Sequence, residues 1–175
     1  MVSMEDHKLK VYEQLCNSYR AIDDFRAKLL GLLPLATGAG MFFGADKWSN
    51  NPGPFLPAIS AFGFVITLAL FFYELYGIKK CTYIIWAGQD LEKELNIMNG
   101  QFTTRPAGVA GFINEPFAAG VIYPAVMGAW AYITAATAYQ AYHAKRLAIF
   151  IFLAGFISLL LYSLHLKNMG KNRSR

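Results

Sequence analysis

The chain has 175 residues, of which 55% are hydrophobic and 15% aromatic, and it carries a net charge of +5. That composition lies outside the soluble globular range and makes lipid the expected solvent for most of the chain. The positive charge does not point to nucleic acid, because Lys and Arg are scattered and neither a stacking platform nor a binding motif accompanies them.

From the N-terminus, 5–28 reads as a cytoplasmic helix. Val11, Leu15, Ser18, Ile22, Phe25, Leu29 and Leu32 recur at alternating spacings of four and three, and no Pro or Gly interrupts 5–30. Arg20 with Asp24, and Asp24 with Lys28, stand at the separation that lets opposite charges meet on a helix. The helix runs without a break into a first apolar block, 29–45, which contains Pro34 and is expected to act as its own insertion signal. A brief external connector, 46–56, holds Trp48 as an interfacial anchor.

The second apolar block, 57–76, continues into a cytoplasmic extension, 77–99, where Ile84, Gly88, Leu91, Leu95 and Met98 repeat the four-three spacing. The two extensions are expected to pair as an antiparallel stalk reaching about 30 Å below the membrane. Asn99 and Gly100 mark its stop, and 100–116 reads as a loop rich in Gly and Pro. Asn114, Glu115 and Pro116 then make a good helix start. The third span is 117–141, the external connector 142–146, the fourth span 147–166, and the basic tail 167–175.

An all-α membrane protein with four transmembrane helices follows. Thirteen Lys and Arg residues fall on the first, middle and last connecting segments, whereas the other two connectors hold only Lys47, Lys145 and Arg146. Cytoplasmic flanks retain positive charge during insertion, so both termini are expected in the cytoplasm. Brief loops and the absence of a targeting signal fit a bacterial inner membrane. Cys16 and Cys81 fall on the cytoplasmic side, where free thiols are expected.

Five groups of residues are candidates for function. Ala36, Gly40 and Gly44, spaced by four, would expose backbone on one helix face and serve either homo-oligomer assembly or packing within the bundle. Glu74, the sole acid inside an apolar block, is a candidate for an ion pathway or for an interfacial pair with Lys79 or Lys80. Tyr123, Thr134, Thr137 and Gln140 form a polar seam in the third span that would line a narrow path or bond between helices. Arg105, Asn114 and Glu115 stand beside a helix N-terminus, which attracts anionic ligands or lipid. Tyr12, Tyr19, Ile84 and Trp86 mark a stalk face open to a soluble cytoplasmic partner.

Isolated His7, His143 and His165 supply no metal or haem site, and no enzyme motif or cofactor site stands out. The leading expectation is a homo-oligomeric gated channel, pore or membrane-perturbing effector controlled from the stalk and loop. A non-conducting anchor that recruits a soluble protein is the alternative, followed by a lipid or small-solute carrier. In overall plan the chain resembles the small multi-span effectors of prokaryotic immune systems, a resemblance of architecture that assigns no residues.

Overall fold

The computed structural model describes residues 4–48, 55–105, 114–138 and 141–173. These form four helices and no strand: α1 (Met4–Trp48), α2 (Phe55–Glu94), α3 (Glu115–Ala138) and α4 (Ala141–Arg173). Three of them, α2, α3 and α4, are long and apolar enough to cross a membrane. The chain is therefore a helical membrane protein. The remaining apolar block, 29–45, is the C-terminal part of α1 and is continuous with the expected cytoplasmic helix.

Burial separates the roles of the helices. In α3, half of the most apolar window is buried, against 6% in α4 and 17% in α2. The third helix is thus the axis against which the others pack. The outer faces of α2 and α4 display Ile59, Phe62, Phe72, Phe150, Leu153 and Leu161. Such a surface is stable only where lipid replaces water.

Small residues set the α3–α4 seam. A Cβ on Gly128 would lie 3.0 Å from the Ala148 carbonyl oxygen, and one on Gly155 would lie 2.9 Å from Pro124 Cγ. Pro124 is itself buried and serves as a packing surface inside an unbroken α3. Between α2 and α3, Gly63 admits the Trp130 ring, which a Cβ would meet at 2.6 Å.

The first two helices pair antiparallel, but not on the face that apolarity alone selects. The buried positions of α1 include Cys16, Tyr19, Arg26, Leu33 and Thr37, one residue on from the stripe that ends at Leu32. Phe25 and Leu32 point outward. One residue is a rotation of about 100°. Facing them on α2 are Thr67, Phe71, Glu74, Ile78, Cys81, Gly88 and Glu92, again at four-three spacing. The inner face carries Tyr12, Arg26, Glu74 and Glu92 because they find partners across the pair, while Leu15 and Ile22 of the apolar stripe pack at its edge and Phe25 and Leu32 are left outside.

Several boundaries differ from the sequence expectation. The second helix ends at Glu94, five residues before Asn99. Asn96 adopts a left-handed φ of 51°, its N–H donates to the Lys93 carbonyl at 3.3 Å, and the Ile97 N–H donates to the Glu92 carbonyl at 2.9 Å. This is the Schellman closure, which Asn tolerates better than other non-glycine residues. Residues 142–146 belong to α4, and the basic tail stays helical through Arg173. Both chain ends lie at the same end of the bundle, since Gly170 packs against Trp86 of α2 and Tyr12 reaches Glu92.

Candidate functional site at the junction of stalk and bundle

The stalk is closed by its own loop. Phe102 is fully buried, with its ring edge-on to Tyr12 and Tyr19 at centroid distances of 5.9 and 6.0 Å. It rests on Gly88, where a Cβ would stand 2.1 Å from the ring. Only glycine leaves room for it. The following residues are not irregular: the Thr104 N–H and hydroxyl both donate to the Gly100 carbonyl, at 3.1 and 2.6 Å.

Glu92 is the polar centre of this turn. Its buried carboxylate accepts from the Tyr12 hydroxyl at 2.8 Å and from the N–H groups of Phe102 and Thr103 at 2.8 and 2.9 Å. Gln89 Nε2 donates to the Phe102 carbonyl at 3.1 Å. The Tyr12 phenol is pushed up to about 12 by burial and by its hydrogen bond to Glu92. Tyr19 is likewise pushed up to about 12, first by burial and then by the charge of Glu115. Arg105 donates to the Tyr19 hydroxyl and places its guanidinium 4.7 Å from the ring centroid.

One level deeper, where the apolar block of α2 ends, stands the ion pair of Arg26 and Glu74. Arg26 Nε and Nη2 donate to Glu74 Oε1 at 3.0 and 2.5 Å. Arg26 is 4% exposed and Glu74 not at all. Arg26 Nη1 also lies 3.5 Å from Glu115 Oε2 on α3 and donates to Cys81 Sγ at 3.8 Å. The second oxygen of Glu74 and the hydroxyl of Tyr123 are buried without hydrogen-bond partners. Three helices therefore meet at one guanidinium.

The sequence candidates distribute as follows. Glu74 pairs with Arg26, while Lys79 and Lys80 are exposed. Tyr123 joins the buried cluster beside Glu74 and Arg26. Thr134 donates to Ser60 Oγ at 2.9 Å, linking α3 to α2. The side chains of Ala36, Gly40, Gly44 and Thr137, and all of Gln140, lie outside the described residues. Arg105 and Glu115 both act at Tyr19, Arg105 by donating to its hydroxyl and Glu115 through its charge; Glu115 also faces Arg26, and Asn114 Oδ1 caps the Phe117 N–H at 3.1 Å. Tyr12, Tyr19 and Ile84 pack in the cluster around Phe102, and Trp86 packs on Tyr83 at 5.2 Å and on Gly170.

Arg26 is one of the thirteen basic residues that set the expected topology. Its depth was the available signal: it lies three residues before the first apolar block, as Glu74 lies two before the end of the second. An antiparallel hairpin brings those depths together. Both cysteines are free and buried. Among the described residues no group of three or more His, Cys, Asp or Glu could hold a metal ion. Comparison with protein-family models, curated proteins and solved structures finds no match to this chain.

Proposed function

We propose that this protein is a gated membrane effector: several copies assemble into a conducting or membrane-perturbing complex whose state is set from the stalk and its loop. The observation that carries the reading is the Arg26–Glu74 pair with Glu115, which joins the stalk helices to α3 at the membrane boundary. Ionisable groups at such depth are expensive, and they are kept where a pathway or a switch uses them. The unpartnered Glu74 oxygen and Tyr123 hydroxyl leave this junction incompletely satisfied. A second arrangement that satisfies them would be the switching element that gating requires.

Gating is favoured over simple anchoring because Tyr12, Tyr19, Ile84 and Trp86 are engaged by the chain itself. An adaptor would need that face open. Four transmembrane helices, a cytoplasmic stalk and a bacterial inner membrane complete the proposal, on the charge asymmetry of the connectors. The test is ion flux from liposomes holding the purified chain, with and without cell extract on the side of the termini. Flux that appears with extract supports gating, and silence in both conditions favours the anchor.

A further inference from the structure

A cavity of about 850 Å³ lies between α2, the start of α3 and the C-terminal half of α4. It sits where the apolar blocks of all three helices end, on the side of the chain termini. Along α4 it runs from Leu159 to Gly170, a length of about 16 Å at helical rise. Its wall changes character over that length. Ile78, Leu159 and Leu160 line the deep part, and Gln89 and Lys167 the shallow part.

We infer that this cavity binds one anionic phospholipid of the leaflet on the side of the termini, with Lys167 receiving the headgroup phosphate and the deep apolar wall receiving the upper acyl chains. Its volume is that of a ligand site and not of a packing gap. Its polarity gradient runs along the bundle axis, as an amphiphile in the bilayer does. Charge complementarity comes from Lys167, which no carboxylate pairs among the described residues. The N-terminus of α3 contributes little by hydrogen bonding, because Asn114 already occupies the Phe117 N–H and Pro116 has none to give. The lateral opening exists because α2 and α4 touch each other less than any other pair of neighbouring helices. This inference is independent of whether the protein conducts.

The test uses the full chain purified from nanodiscs of equal phosphatidylglycerol and phosphatidylcholine, with retained lipid counted by native mass spectrometry. One phosphatidylglycerol per chain is expected to survive delipidation in preference to phosphatidylcholine. Lys167→Gln should reduce that preference about fivefold, the effect of losing one basic contact with an anionic headgroup. Ser163→Leu, which places a larger side chain in the cavity wall, should reduce retention of either lipid, whereas Lys145→Gln at the opposite end should change nothing. Equal retention of the two lipids by the native chain, or an unchanged preference in Lys167→Gln, would overturn the inference. So would displacement of the lipid by soluble sn-glycerol 3-phosphate at equal concentration, since the site would then recognise the phosphate alone.

Discussion

Arg26 and Glu74 meet at 2.5 Å in the interior of the helix bundle, the guanidinium of one amphipathic helix held against the carboxylate of the next. A buried pair of this kind gains little over apolar groups of the same size, because desolvation offsets the attraction, but it is severe to break on one side only. Arg26→Met should therefore lower stability by about 3–5 kcal/mol, while Arg26→Met with Glu74→Met should recover most of the loss. Thermal unfolding in detergent micelles, followed by circular dichroism, checks both variants. Equal stability of the native chain and Arg26→Met would show that the pair is not formed.

Phe102 should behave as the peg that holds the loop on the stalk. Phe102→Ala should cost about 3–5 kcal/mol of local stability, as truncating a buried aromatic does elsewhere. Gly88→Ala should act in the same direction without touching Phe102, because the new methyl would stand 2.1 Å from the ring. Limited proteolysis reads both: cleavage within 101–105 should accelerate in each variant and stay slow in the native chain.

Alkaline pH should loosen the same turn. Both phenols are raised from an ordinary value of 10 to about 12, Tyr12 and Tyr19 alike. A raised value means that the folded chain holds the proton more tightly than the unfolded chain. The stabilisation is thus complete below pH 10 and is lost as pH rises towards about 12. Ultraviolet difference titration should show one fewer late-ionising tyrosine in Tyr12→Phe than in the native chain.

Much of the architecture is legible in the sequence. Apolar length locates the membrane segments, and unbroken four-three spacing joins 5–28 to the first block, because helices follow from local pattern. The facing of the stalk is less legible. Val11, Leu15 and Ile22 make the more apolar stripe, but the contact is centred one residue on, where Tyr12, Arg26, Glu74 and Glu92 each acquire a partner from a distant part of the chain, and Leu15 and Ile22 pack at its edge. Only the pairing reveals that. The 100–105 turn was hidden for the same reason, since its order depends on Gly88 leaving space and on Glu92 accepting its N–H groups. Asn96 ends α2 early through a left-handed turn, a choice that Asn99 and Gly100 in sequence obscure.

Glycines in α1 and α3 should respond oppositely to alanine. A Cβ at Gly31 or Gly38 meets nothing within 4 Å, so Gly31→Ala and Gly38→Ala should raise stability by about 0.5–1 kcal/mol each through helix propensity. Gly128→Ala puts its methyl 3.0 Å from a backbone oxygen of α4 and should cost about 1–3 kcal/mol. Thermal unfolding compares them. Size-exclusion chromatography of the first two variants also tests assembly: a loss of oligomer without loss of helix content places the copy-to-copy contact on that open face of α1.

In the proposed function the stalk and its loop hold the membrane bundle in a closed state. Potassium flux from liposomes loaded with either native protein or Phe102→Ala measures this directly. A silent native chain with a conducting Phe102→Ala is the predicted result, because releasing the loop removes the clasp on α1 and α2 above the Arg26–Glu74 junction. Equal flux from the two proteins, or silence from both when each is shown to be folded and inserted, would contradict it.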